Sequence, residues 1–119
     1  MVKNQYEIDK LSDFNEIIKN NRVVILKASA DWCGPCKTII DIFYELLDGL
    51  PDEVVVVLID YDKAESIRRK LHIKSIPFIA NFIDAEMLDV VNSSNKTDIK
   101  KFFIKTGKKA VEIEKNDKN

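Results

Sequence analysis

The spacing of hydrophobic positions changes several times along the chain, and each change marks an element. Gln5 to Ile8, QYEI, alternates polar and apolar residues with the period of a short strand. Ser12 is a candidate N-cap, and the stretch from it through Phe14, Ile17 and Ile18 to Lys19 predicts a helix. Asn20-Asn21 supplies a turn, after which Arg22 to Ala28 is β-branched and largely apolar, as a strand covered on both faces requires. Beyond Cys33, the positions Ile39, Ile40, Phe43, Leu46 and Leu47 recur at helical spacing until Gly49-Leu50-Pro51. Glu53 to Asp60, EVVVVLID, is a second buried strand, and KAESIRRKLH a further amphipathic helix. FIANFI and MLDVV, separated by Asp84-Ala85-Glu86, read as an antiparallel hairpin near a sheet edge. Lys96 to Thr106 sets Ile99, Phe102 and Phe103 on one face of a last helix, which Gly107 is expected to end, so that 108–119 forms a charged, frayed tail behind a domain spanning 1–107.

The order β-α-β-α-β-α-β-β-α, with two long apolar strands and a terminal hairpin, predicts an α/β domain. A single mixed sheet is expected, with helices on both faces.

Composition narrows the classes of function. At 119 residues, 45% hydrophobic and 33% charged, the chain has enough apolar content for one domain with its own core. Nineteen basic residues against twenty acidic ones give no overall field toward nucleic acid or an anionic membrane. The apolar runs VVIL and VVVVLI fall far short of the ~20 residues that cross a bilayer, and the opening MVKNQYEIDK has no apolar signal segment, so a cytoplasmic protein is expected. The only two cysteines are near neighbours rather than the dispersed framework of a small secreted domain.

Those cysteines stand in ADWCGPCK, Ala30 to Lys37, where a buried strand gives way to a helix. Two thiols at this spacing in a first helical turn can close a disulfide with tolerable geometry, and the loop is too small for the bridge to stabilise the fold by much. Free backbone N–H groups at the helix start favour a thiolate at Cys33. Pro35 fixes the first turn, Gly34 leaves the approach to Cys33 open, and Trp32 offers an apolar surface to a partner chain. Cys33 would attack a target disulfide and Cys36 would resolve the mixed disulfide. A zinc site needs four ligands, and two cysteines with the lone His72 do not supply them. Two plain core cysteines are the blander alternative, which WCGPC at a strand-to-helix junction disfavours.

WCGPCK, with Ser29-Ala30 before it, resembles the thioredoxin family, particularly its eukaryotic type, over roughly residues 1 to 107. The resemblance implies the thioredoxin fold and protein-disulfide reduction by Cys33 and Cys36, with no bound cofactor beyond their redox-active disulfide. It also implies disulfide-containing client proteins and an NADPH-dependent thioredoxin reductase as partners. Ile76-Pro77 is similar to the family's cis-proline loop, whose backbone faces the disulfide, so Ile76 and Pro77 join Trp32, Gly34 and Pro35 as expected substrate-binding residues. Several positions depart from the family pattern. Lys27 stands where a buried Asp is usual and Val56 where its Lys partner is usual; Phe78 follows the proline in place of Thr. Asn92-Ser93 occupies a position usually held by Gly. Asp41 replaces a helix-kinking proline, which predicts a straighter helix.

Lys27 raises three readings. A desolvated, neutral amine could act as a base; a retained ammonium would favour a nearby thiolate and make the couple more oxidising; or the side chain could run out to solvent and touch neither sulfur. Asp31 reads as a solvated loop residue, Asp60 as a cap on the following turn, His72 as a surface residue near a helix C-terminus, and Arg68 to Lys70 as a solvated face. Beside the reductase reading stand two others: a more oxidising exchanger or isomerase, and a binding or assembly subunit whose thiols are secondary.

Overall fold

The computed structural model describes residues 4–117. Its elements are β1 (Gln5–Glu7), α1 (Leu11–Asn20), β2 (Val23–Ser29), α2 (Gly34–Thr38), α3 (Ile40–Asp48), β3 (Val55–Asp60), α4 (Glu65–Lys70), β4 (Phe78–Ile83), β5 (Glu86–Val91) and α5 (Lys96–Asp117). The strands form one sheet in the order β1-β3-β2-β4-β5. β1 and β2 run parallel to β3, whereas β4 is antiparallel to β2 and β5 to β4.

Alternation along the central strands builds two cores. Ile25, Val56 and Ile79 point to the face covered by α3 and α5, where they meet Phe43, Leu47, Ile99 and Phe103. Val24, Leu26, Val57 and Ala80 point to the other face, against Phe14 of α1 and Ile67 of α4. A strand covered on both sides needs apolar residues at every position, which is why VVIL and VVVVLI show no alternation.

Four local expectations are corrected. α1 starts at Leu11, with Lys10 at the N-cap and Ser12 inside the first turn. The Leu11 N–H is met by the Ser66 hydroxyl at 3.2 Å, so a tertiary partner from α4 does what a side-chain cap would do. The helix after Cys33 is not straight despite Asp41: it breaks at Ile39 (φ −108°, ψ 0°) between α2 and α3. The Thr38 hydroxyl donates to the Pro35 carbonyl at 2.8 Å, the acceptor that a continuous helix would have given to the Ile39 N–H.

The hairpin turn is shorter than expected, because Glu86 already pairs with Ile83 and only Asp84 and Ala85 form the loop. Both have positive φ, 50° and 70°, the backbone of a type I′ turn. Arg22 holds Asp84 by an ion pair of 2.8 Å, and the Asp84 N–H donates to the Arg22 carbonyl at 2.9 Å.

Gly107 does not end the last helix, and 108–117 is not a frayed tail. α5 continues to Asp117, burying Ala110 and partly burying Ile113 against the α3 face. A Cβ on Gly107 would lie 3.2 Å from Leu50 Cδ2, so the glycine lets α5 lie close against the turn that follows α3. An interior helical glycine costs about 1 kcal/mol, which the burial of Phe103, Thr106 and Ala110 on the same helix offsets. Farther back along the helix, fully buried Asn81 marks an irregularity in β4 and ties three elements together. It accepts the Asp89 N–H at 2.9 Å and donates to the Asp89 carboxylate and the Thr106 hydroxyl, each at 2.9 Å.

Ala85 holds a left-handed backbone without being glycine, at a cost of about 1–2 kcal/mol. Ala85→Gly is expected to raise stability by about 0.5–1 kcal/mol, the difference between that relief and the larger entropy of an unfolded glycine. Urea denaturation checks it through a higher midpoint at unchanged slope.

Candidate active site

Cys33 is the N-cap of α2, placed there by a turn in which its N–H bonds the Ala30 carbonyl at 3.1 Å. The Cys36 N–H points back at Cys33 Sγ, 3.1 Å away. The two sulfurs are joined as a disulfide with the Cα atoms 5.3 Å apart. Pro35 sits in the first turn of α2, where a missing N–H costs nothing. No atom lies within 4 Å of where a Gly34 Cβ would be, so the approach on that side is open.

The bridge is nonetheless well sheltered. Cys33 exposes 3% of its surface and Cys36 2%, less than an attacking sulfur was expected to show. Ala30, Tyr61 and Ile76 pack around them. Trp32, by contrast, is 65% exposed, its indole N–H held by the Asp62 carboxylate at 2.7 Å and its ring set edge-on to Tyr61. Asp60 accepts the N–H groups of Asp62 and Lys63 at 2.9 and 3.1 Å, the turn cap expected of it, and so fixes the loop that carries both Tyr61 and Asp62. His72 lies just beyond α4 in the left-handed region (φ 56°) and is exposed.

The Ile76–Pro77 bond is cis, as the resemblance implied. The antiparallel pairing of Ala28 with Phe78 brings this loop beside the turn that carries Cys33. Asn92, which follows β5, brackets it: its amide donates to the carbonyls of Ser75 (3.0 Å) and Pro77 (2.9 Å), while its oxygen accepts the Ser75 hydroxyl at 3.0 Å. Ile76 lies between the two clamped carbonyls.

Tyr61 and Asp62 carry no signal in the sequence, whereas Asn92 is marked by Asn92-Ser93 standing where the family pattern has glycine. Their partners are 15 to 30 residues away or more in sequence, which no local pattern records.

Lys27 is on the α3 face of β2, 6% exposed, with its Nζ 5.3 Å from the Phe43 ring centroid. Among the described residues it makes no ion pair or hydrogen bond, and it does not reach freely into solvent. It lines a cleft of about 720 Å³ together with Cys36, whose rim includes Asp9, Asp13, Asp31 and Asp60 as well as Lys10, Lys37 and Lys63. Burial pushes the Lys27 pKa below the ordinary lysine value. Among the described residues no group of three or more His, Cys, Asp or Glu side chains could hold a metal ion.

A mixed sheet that presents a Cys-X-X-Cys disulfide at a helix N-terminus, across from a cis-proline loop, defines a dithiol–disulfide exchange protein. The sequence model described as "Thioredoxin" matches residues 5–105. Thioredoxin 1 of Plasmodium falciparum is 30% identical over 94 residues, covering 79% of this chain and 89% of that protein. Thioredoxin of Mycoplasmoides gallisepticum is 33% identical over 82 residues, 69% of this chain and 81% of its own. Among solved structures, Plasmodium falciparum thioredoxin superposes with a TM-score of 0.77 at 27% identity, over 87% of this chain and 98% of that one. Oxidised mitochondrial thioredoxin 3 of Saccharomyces cerevisiae gives 0.74 at 26% identity, over 80% and 89%. The chain belongs to the thioredoxin family, whose members are protein-disulfide oxidoreductases.

The Lys27 shift sets a pH dependence of stability. Its folded pKa lies below its unfolded one, so the cost of the buried ammonium is full below the folded value. That cost fades as pH rises from there to the ordinary lysine value of 10.5. Lys27→Met is expected to be more stable than wild type at pH 7 by on the order of 1 kcal/mol. Denaturation curves should show the two proteins converging as pH approaches 10.5.

Proposed function

We propose that this chain reduces disulfides in client proteins, with Cys33 as the attacking thiolate and Cys36 as the resolving thiol. The observation that carries the assignment is the Cys36 N–H directed at Cys33 Sγ. A hydrogen bond to the charged sulfur favours the thiolate at Cys33 and gives the buried Cys36 no equivalent help. In the reduced protein, Cys33 S⁻ attacks one client sulfur; an S–S bond forms between them, and the other client sulfur leaves as a thiolate that takes up a proton. Cys36 loses its proton and attacks Cys33 Sγ, forming Cys33–Cys36 and releasing the second client thiolate. Two electrons pass to the client, and a dithiol donor must return them. By resemblance to the family, that donor would be an NADPH-dependent thioredoxin reductase.

Client recognition rests on the surface around the bridge. Exposed Trp32 and half-buried Ile76 form an apolar rim, and Gly34 and Pro35 are exposed beside Cys33. The backbone at Ile76-Pro77, held by Asn92, offers main-chain pairing to an extended segment. The chain's sparse, paired cysteines support work in the cytoplasm, where thiols are kept reduced.

Lys27 favours the more oxidising variant of this chemistry. Its ammonium shares a cleft with Cys36 and faces the Phe43 ring, whose negative face favours a retained charge. A positive charge behind the cysteines stabilises thiolate and hence the reduced form.

Two results check the proposal. Reduced Cys36→Ser should accumulate a mixed disulfide at Cys33 with insulin-type substrates whose disulfides are intact, whereas Cys33→Ser should lose turnover and trap nothing; trapping in the second variant instead would reverse the assignment. Equilibration with glutathione should show Lys27→Met about three- to tenfold harder to reduce, a potential lower by about 15–30 mV.

A further inference from the structure

A groove of about 730 Å³ runs along α5 on the side facing the end of α3, the end away from the cysteines. Leu46, Leu50 and Pro51 form one wall; Phe103, Ile104 and Val111 form the other. Gly107 also lines it, at the point where α5 packs against Leu50. Ile104 is 58% and Val111 44% exposed, so the groove leaves apolar surface in water that the fold itself does not cover. Its far half is built on 106–117, the part of α5 that lies beyond the family match at 105.

The polar residues along it have a definite order. Lys100, Lys108 and Lys115 line the groove at intervals of eight and seven positions, with Glu112 the one acidic residue in the lining. At 1.5 Å per residue they span about 22 Å, four turns of helix. None of the three lysines makes an ion pair or hydrogen bond among the described residues. Ile104, Gly107 and Val111 follow one another at i, i+3 and i+7, with Lys108 and Lys115 on one flank of that line and Lys100 in line with it one turn before Ile104, so that charges beside an apolar strip can choose the partner. A second copy of this chain is a poor occupant: α5 carries seven lysines against four acidic residues, and two such faces would set like charges together.

We infer that this groove is a docking site for an acidic amphipathic helix of a partner protein, laid along α5 with its apolar stripe on Ile104 and Val111 and its carboxylates on Lys100, Lys108 and Lys115. Such a partner would bury the apolar face and neutralise three unpaired cations without touching Trp32 or the Ile76-Pro77 loop. The domain could then be tethered while its disulfide stays free to exchange. The site is independent of the dithiol chemistry.

The test uses the full chain, isotope-labelled, and a synthetic eighteen-residue helical peptide with leucines at i, i+3, i+7, i+10 and i+14 and glutamates flanking them. NMR titration should shift the amides of Ile104, Gly107 and Val111 saturably and leave those of Trp32 and Ile76 in place. Binding should fall at least tenfold in the K100E/K108E/K115E variant, weaken with salt, and vanish for the same peptide with lysines in place of glutamates. Insulin reduction by the variant should match wild type, which shows that it is folded. Equal binding of both peptides, shifts scattered outside the groove, concentration-dependent dimerisation through α5, or sedimentation with phosphatidylserine vesicles that the triple variant loses would each overturn the proposal.

Discussion

The register in which β2 lies between β3 and β4 is the constraint on which the site depends. Ala28 opposite Phe78 and Ser29 opposite Asp60 set three chain segments at one end of the sheet: the turn into α2, the Ile76-Pro77 loop and the Tyr61-Asp62 turn. A slip of one residue would turn every side chain of β2 to the opposite face, exchanging Ile25 and Lys27 with Val24 and Leu26. Both cores enforce the register, since neither the Phe43 side nor the Phe14 side could accept the exchange without burying a lysine among different neighbours or leaving voids. Packing at the centre of the sheet thus determines where a sulfur meets the Ile76-Pro77 backbone at the ends of its inner strands.

Lys27 is the one charged residue inside that constraint. Every other described residue of β2 before Ser29 is buried and apolar, so strand and core would be more comfortable without it. A position that costs stability and stands beside the redox bridge has the features of a residue kept for chemistry, in the way strain and desolvation collect at active sites. The Phe43 ring moderates the cost without removing it.

Much of this was legible in the sequence because it is periodic or local. The two doubly covered strands announce themselves as unbroken apolar runs, and WCGPC carries its chemistry in five adjacent residues. The order of elements follows, apart from one helix that is divided. What sequence could not give is set by tertiary partners. Ser66 replaces a local cap at Leu11; Thr38 diverts the Pro35 carbonyl and breaks the helix that the absence of proline at Asp41 had promised straight. Gly107 looks like a stop signal until Leu50 is seen lying against it. Tyr61, Asp62 and Asn92 reach the site only through the fold, and Lys27 was visible from the start although its burial and its cleft were not.

The central claim is that Cys33, which accepts the Cys36 N–H, ionises more readily than an ordinary thiol, while Cys36, without such a donor, stays protonated. The most direct measurement is the pH dependence of alkylation of the reduced protein by iodoacetamide, read separately for each cysteine by mass spectrometry. The account predicts rapid modification of Cys33 with an apparent pKa at least about one unit below the ordinary value near 8.5, and little modification of Cys36 in the folded state. Equal labelling of both cysteines at the ordinary value, or a Cys33 that reacts only after unfolding, would contradict it.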